Sequence, residues 1–208
     1  MPYKVSYFDI RGLAEPIRML LADNGAKFED HRFSYAEWPT YKPQMQFGQV
    51  PCLFEGDQQI VQSGAILRHL ARKYNLNGKD EYETTFIDMF AEGVRDVHVK
   101  YTTMIYKDYE AGKAPYISET LPVELKKLES LLKTYQNGEK FVAGENISYA
   151  DYMLFEELDI HLILDPHCLD KFPVLKAYHG RFSNRASLKT YLDQRAAANG
   201  FVNGNGKQ

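Results

Sequence analysis

Between residues 75 and 80 the hydrophobic period of this chain changes. Upstream, short alternating runs are interleaved with runs that are apolar on one helical face; downstream, apolar residues recur almost only at three- and four-residue spacing. The stretch from Glu83 to Tyr109 carries Phe86, Phe90, Val94, Val97, Tyr101, Met104 and Ile105 on one stripe, and that from Leu121 to Tyr135 carries Leu121, Leu125, Leu128, Leu131, Leu132 and Tyr135. Two such helices are expected to pack side by side, with Pro122 tolerated near the start of the second. At 208 residues the chain could hold one core or two, so the period decides and the length does not. The polar, glycine-containing joint Asn75-Leu76-Asn77-Gly78-Lys79-Asp80 then separates a mixed α/β domain over residues 1–76 from an all-α helical domain over residues 82–208.

In the first part, Tyr3-Lys4-Val5-Ser6-Tyr7-Phe8 alternates as a strand does. Glu15 to Asn24 presents Ile17, Leu20 and Leu21 on one face, with Pro16 in its first turn and Gly25 past its end. Leu53-Phe54-Glu55, the turn Gly56-Asp57 and Gln58 to Val61 read as a hairpin, and a helix from Gly64 to Tyr74 follows. A strand at Phe28 to Phe33, only weakly marked by its period, would complete the order of a thioredoxin-like domain. In the second part, Ser148-Tyr149-Ala150-Asp151 before Met153, Leu154, Leu158 and Leu162 reads as a capping box with Asp in the place of Glu. The competing reading, a Ser–Asp catalytic pair, lacks a histidine partner. Asp165-Pro166 breaks the chain ahead of helices at Val174 to Ser183 and Ser187 to Gln194, and the Gly/Asn-rich end from Asn199 is expected to be loosely ordered apart from anchors at Phe201 and Val202.

Charge and cysteine content remove several function classes. The 25 basic and 28 acidic side chains give a net charge of -3, with no basic patch to neutralise phosphates, so nucleic acid is not an expected partner. No apolar run approaches the ~20 residues of a membrane span, and Met1-Pro2-Tyr3-Lys4 lacks the apolar core of a signal peptide; a cytoplasmic protein is expected. Cys52 and Cys168 are too few for a disulfide framework, and there is no Cys-x-x-Cys. Histidines 31, 69, 98, 161, 167 and 179 show no ligand spacing, so no metal is expected.

Chemistry concentrates in Phe47-Gly48-Gln49-Val50-Pro51-Cys52-Leu53-Phe54 and in Gln62-Ser63. Pro51 pushes Val50 into an extended conformation, which leaves the main chain of Gln49 and Val50 open to an extended, peptide-like ligand. Ser63 stands in the capping position of the next helix, whose unpaired N–H groups and positive dipole end favour a carboxylate. Taken alone, Val50-Pro51 reads as the end of a loop and Ser63 as a plain helix cap. Tyr7 alone would be an ordinary core or interface tyrosine.

Together with Tyr7 near the end of the first strand, and Trp38 and Lys42 before the open stretch, these features resemble the glutathione site of the cytosolic glutathione transferases, and within that family the pi class. The resemblance runs over nearly the whole chain: Tyr7-Phe8, Arg11-Gly12, Gln49-Val50-Pro51, Gln62-Ser63, Ile66-Leu67-Arg68-His69-Leu70, Tyr109-Glu110-Ala111-Gly112-Lys113, Ser148-Tyr149-Ala150-Asp151 and the ending Asn203-Gly204-Asn205-Gly206-Lys207-Gln208. It supplies the strand at Phe28 to Phe33, where periodicity is weak. It implies glutathione as co-substrate with no permanently bound cofactor, and Tyr7 as the catalytic residue that activates the glutathione thiol. The loop Phe8-Asp9-Ile10-Arg11-Gly12-Leu13, where thioredoxin-like redox proteins carry a nucleophilic cysteine, has none. The thiol must come from the ligand.

The resemblance further implies that Gln49 and Val50 pair with the cysteinyl backbone, that Gln62 and Ser63 take the γ-glutamyl carboxylate, and that Trp38 and Lys42 hold the glycyl carboxylate. Small hydrophobic electrophiles would meet Phe8, Ile10 and Tyr106, the last lying off the apolar stripe of its helix. A homodimer is implied, with Phe47 as a key inserted near Met89, Phe90, Gly93 and Leu128 of the partner, and with Asp96 reaching the ligand's amino group across the interface. Two positions depart from the pattern: Leu13 stands where the pi class commonly has an arginine, and Met45-Gln46 where it commonly has a reactive cysteine. The expected activity is conjugation in detoxification. The rivals are a glutathione-dependent isomerase of lipid substrates and a non-catalytic glutathione or ligand carrier; the presence of both Tyr7 and Tyr106 argues against the carrier, and leaves the isomerase open.

Overall fold

A computed structural model describes residues 3–198 and 200–208; Met1-Pro2 and Asn199, where the loose end was expected to begin, lie outside the described residues. The chain forms two compact units, Met1–Tyr74 with Arg185–Gly206, and Asn75–Asn184 with Lys207–Gln208.

The first unit runs β1 (Tyr3–Phe8), α1 (Glu15–Asp23), β2 (Phe28–Phe33), a short α2 (Trp38–Tyr41), β3 (Cys52–Glu55), β4 (Gln58–Val61) and α3 (Ser63–Tyr74). The sheet order is β2-β1-β3-β4. β1 lies parallel to β2, with Tyr3 opposite Phe28, and antiparallel to β3, with Ser6 opposite Cys52. The β3–β4 hairpin pairs Glu55 with Gln58, and Gly56 takes the positive φ that this two-residue turn requires. Val5 and Leu53 of the sheet, Ile17, Leu20 and Leu21 of α1, and Ile66, Leu67 and Leu70 of α3 form the buried core. Each such side chain contributes about 1.5–3 kcal/mol when fully buried. The weak period of Phe28 to Phe33 has a physical cause: β2 is an edge strand, and only Phe33 of its six residues is buried. Glu29, Asp30 and Arg32 protect that edge from pairing with another chain.

The second unit contains α4 (Glu81–Lys107), α5 (Tyr109–Pro115), a π-helical turn (Tyr116–Thr120), α6 (Leu121–Leu132), α7 (Tyr149–Leu164) and α8 (Pro173–Ser183). α4 is capped by Asp80, which accepts the Glu83 N–H at 2.9 Å, and it stops at Lys107 because Asp108 leaves helical geometry with φ -153. α4 packs on α6 as expected, and also on α7. α6 ends at Leu132, short of the expected Tyr135, because the chain then turns through Gln136, Asn137 and Gly138, all at positive φ. Ser148-Asp151 forms the expected capping box: Asp151 Oδ2 accepts the Ser148 N–H at 2.8 Å and its hydroxyl at 2.7 Å. Its Oδ1 accepts the Val142 N–H and the Tyr178 hydroxyl, both at 2.8 Å, so this carboxylate ties three segments together and has no histidine to serve.

The helical part ends differently from the expected 82–208 domain. α9 (Ala186–Ala198) belongs to the first unit, because it packs on α1, Arg185 reaches Asp23 at 2.9 Å and the Tyr191 hydroxyl donates to Glu15 at 2.9 Å. The end of the chain is anchored at Phe201 and Val202, as expected, and also at Asn203. The Arg11 and Gly12 N–H groups donate to the Phe201 and Val202 carbonyls at 3.0 and 3.3 Å, and Val202 and Asn203 are buried. Among the described residues no helix is long and apolar enough to cross a membrane.

Candidate functional site

β1 ends in Tyr7-Phe8, and strand alternation sends these side chains to opposite faces. Tyr7 is only 8% exposed, and its phenol oxygen accepts the Leu13 N–H at 3.3 Å. The main chain approaches that closely because residue 12 is glycine: its φ is +44, and a Cβ there would stand 2.8 Å from both the Oη and Cε1 of Tyr7. Support for the phenol at position 13 therefore comes from the backbone, which a leucine supplies as well as an arginine. The Leu13 N–H thus holds the phenol oxygen, and a phenol carries one O–H donor besides its acceptor oxygen. The protein's own thiols are poorly suited to nucleophilic work, since burial pushes Cys52 and Cys168 each up to about 12.

On the other face, Phe8 stacks on Tyr35 with ring centroids 4.2 Å apart and meets Trp38 edge-on at 5.5 Å. Trp38 opens α2 and lies parallel to Phe33 at 5.7 Å. Trp38, Tyr41, Val50 and Phe54 all pack around the buried Met45, Cys52 and Val61, so one apolar cluster seats the loop on the sheet. Met45, at the position where the family's reactive cysteine was looked for, is a core anchor. Ile10 is buried, which leaves it little surface for a ligand.

The loop is also held by a residue the sequence reading missed. Gln59 of β4 accepts the Gln46 N–H at 2.7 Å and donates to the Gln44 carbonyl at 2.9 Å. A glutamine in a short strand gives no signal of such a role. Lys42 runs its stem beside Gly48, where an added Cβ would meet Lys42 Cε at 3.4 Å. Gln49 is extended at φ -137 and ψ 155, and the Val50–Pro51 peptide is cis. The Gln62 amide donates to Gln49 Oε1 at 2.9 Å, which brings the two halves of the expected glutathione site together. Gln62, not Ser63, holds the cap position of α3, because its carbonyl accepts the Ile66 N–H at 2.9 Å. Ser63 is the first residue inside the helix and is buried.

Asp96 and Tyr106 lie on α4, in the second unit, and both are exposed, Tyr106 at 49%. Ten residues separate them, about 15 Å of helix, so they would serve different groups. Phe47 has a left-handed φ of 58 and is 78% exposed.

Residues 3–72 match the family model for the N-terminal domain of glutathione S-transferase, and residues 95–195 that for its C-terminal domain. The chain is 64% identical over 208 residues to a protein of Caenorhabditis elegans named Glutathione S-transferase P, covering 100% of both. It is also 64% identical, again over 100% of both chains, to Glutathione S-transferase 2 of Onchocerca volvulus. The solved structure of the Onchocerca volvulus pi-class glutathione S-transferase superposes with a TM-score of 0.98, at 64% identity and with 100% of each chain covered. Identity of this degree over the full length of both chains shows the family: this chain belongs to the glutathione S-transferases.

Proposed function

We propose that Tyr7 activates the glutathione thiol for attack on small hydrophobic electrophiles, and that the enzyme works as a cytoplasmic homodimer in detoxification. The observation that carries the catalytic part is the Tyr7 phenol, fixed by the Leu13 N–H beside a loop without cysteine. A free thiol with pKa about 8.5 is only a few per cent ionised at neutral pH, and lowering it by about two units stabilises the thiolate by ~2.7 kcal/mol. One hydrogen bond to a charged group contributes about 1.5–3 kcal/mol, so a single phenol donor nearly suffices. The thiolate then attacks the electrophilic carbon, the new carbon–sulfur bond forms as the leaving group departs with the bonding pair, and the thiol proton passes to solvent.

We infer the binding roles from the resemblance, and the Gln62–Gln49 hydrogen bond supports them. The backbone of Val50 and of the extended Gln49 pairs with the cysteinyl unit, while Gln62, Ser63 and the N–H groups opening α3 take the γ-glutamyl carboxylate. The Trp38 indole N–H and Lys42 take the glycyl carboxylate. Phe8 and Tyr106 serve the electrophile, and Asp96 of the partner copy serves the amino group of glutathione.

Replacing Tyr7→Phe is expected to leave glutathione bound while raising its thiol pKa by about one to two units and lowering turnover roughly 10- to 100-fold. Ultraviolet titration of the bound thiolate measures this. An unchanged titration in the variant would remove Tyr7 from the mechanism.

A further inference from the structure

We propose that Arg18 is a positioning residue for Tyr7, and that α9 holds Arg18 in register through Glu15. The proposal rests on the Tyr7 reading above. Arg18 interrupts the apolar face of α1, and its side chain is fully buried. A cation so placed must be tightly engaged to be tolerated. Its Nε donates to Asp30 Oδ1 at 2.8 Å, and its Nη1 to the Ile10 carbonyl at 2.9 Å, the Arg11 carbonyl at 3.3 Å and Glu15 Oε2 at 3.2 Å. Its guanidinium carbon lies 6.0 Å from the centre of the Tyr7 ring.

The two carbonyls are what tie this cation to the reaction. Ile10 and Arg11 directly precede Gly12-Leu13, the pair that brings a backbone N–H onto the Tyr7 oxygen. Gripping those carbonyls fixes the loop, and the loop fixes the direction in which Tyr7 points its hydroxyl. Nη2 is buried and has no hydrogen-bond partner among the described residues.

The grip reaches α9 through the second oxygen of Glu15, which accepts the Tyr191 hydroxyl at 2.9 Å and Arg195 Nη1 at 3.4 Å. On the other side, Asp30 Oδ2 accepts from Arg32 Nε at 2.7 Å, and Arg32 reaches Asp9 at 3.3 Å. Cations at 18, 32 and 195 thus alternate with anions at 9, 15 and 30. Each of these charges is thus paired within the chain, and the influence proposed for Arg18 is geometric and passes through Tyr7. Burial and the neighbouring Glu15 charge keep the Tyr191 phenol protonated, hence a constant donor.

The test is thiolate titration of bound glutathione, with steady-state kinetics, on the full chain carrying Arg18→Lys, Tyr191→Phe, Tyr7→Phe and the double variant Tyr7→Phe with Arg18→Lys. A lysine keeps the charge but loses the fork that grips both carbonyls. Arg18→Lys is expected to raise the thiol pKa by about half to one unit and lower kcat near neutral pH about 3- to 10-fold, with the KM for glutathione within about twofold. Tyr191→Phe should move the same quantities less, in the same direction. On the Tyr7→Phe background Arg18→Lys should add no further shift. Folded Arg18→Lys with an unmoved titration, or an additive shift in the double variant, would overturn the proposal. Should Arg18→Lys fail to fold, Tyr191→Phe decides alone, and a titration unmoved there overturns it equally. A shift in Tyr7→Phe without one in these variants sinks the positioning role only; no shift in Tyr7→Phe sinks the Tyr7 reading itself.

Discussion

Gly12 and Gln62 both stand at positive φ, for different reasons. Gly12 must, because any Cβ would strike the Tyr7 phenol. Gln62 is not a glycine, and its φ of 70 carries a cost on the order of 1–3 kcal/mol. That strain sits where β4 turns into α3, and it lets one residue cap the helix with its carbonyl while its amide reaches Gln49. The adjoining Ser63 is therefore presented by the first turn of the helix, among N–H groups suited to a carboxylate. Ser63→Ala is expected to raise the KM for glutathione about 10-fold or more, by loss of one hydrogen bond to a charged group, with kcat at saturation nearly unchanged. Steady-state kinetics at saturating electrophile reads the division, and an equal fall in kcat would contradict it. Residues of this kind were legible in the sequence because they sit in short contiguous motifs. Arg18 and Glu15 were not, because an acid and a base three apart on a helix read as an ordinary surface pair until the fold buries both. Gln59 was hidden likewise, since its role exists only once the loop at Gln44–Gln46 folds against it.

Among the elements, period revealed existence better than extent. The stripe from Phe86 to Ile105 located α4, but its end depends on Asp108 and not on any apolar residue. α7 is buried on most of its surface, so its one-sided pattern is faint, and its capping box was the better marker. What no pattern shows is the polar seam where α4 meets α7. Glu157 of α7 accepts from His98 of α4 at 2.9 Å and also faces His161, which in turn meets the Tyr116 hydroxyl at 2.8 Å. Burial alone would lower His98, but the Glu157 charge and hydrogen bond outweigh it and raise the group above its ordinary 6.5; burial lowers His161 below that value, opposed only in part by Glu157. The two therefore act in opposite senses. His98 contributes stability that is complete below pH about 6.5 and lost as pH rises through its raised value, whereas His161 contributes stability present above about 6.5 and lost as pH falls below it. His98→Gln should accordingly destabilise the protein more at pH 6 than at pH 8, by no more than the about 1.5–3 kcal/mol of one charged hydrogen bond. His161→Gln should do the reverse, costing less at pH 5.5 than at pH 7.5. Denaturant unfolding of each variant beside the parent, at each pH, gives both differences, and a His98→Gln penalty that grew with pH would refute the assignment.

For the whole molecule, the break near residue 80 was written in the period, but the return of residues 185–206 to the first unit was not, since it is fixed by pairings such as Arg185 with Asp23, distant in sequence. Quaternary structure is a further step, and Phe47 is its main indicator. A phenylalanine held at a left-handed φ of 58 and 78% exposed gains nothing from its own subunit, so the alternative in which it packs within its own domain has no support. Of the residues expected to line its pocket, Phe90 and Leu128 are buried within their own unit, while Met89 is exposed and Gly93 has open space where a Cβ would stand. In the proposed dimer, Gly93 and Met89 on the partner's α4 would receive the ring. In a two-fold dimer the contact occurs twice, and Asp96, three residues beyond Gly93 on the same helix, would be carried to the partner's glutathione by the same docking. Phe47→Ala should cost about 3–5 kcal/mol per buried ring, a factor of at least about 100 in the dimer constant, enough to produce monomers in a micromolar sample. Glutathione affinity should fall over the same concentrations, because each site would lose Asp96. Sedimentation and glutathione binding on one dilution series resolve the two effects, and Phe47→Ala monomers that bound glutathione as tightly as the parent would show that each subunit's site is complete by itself.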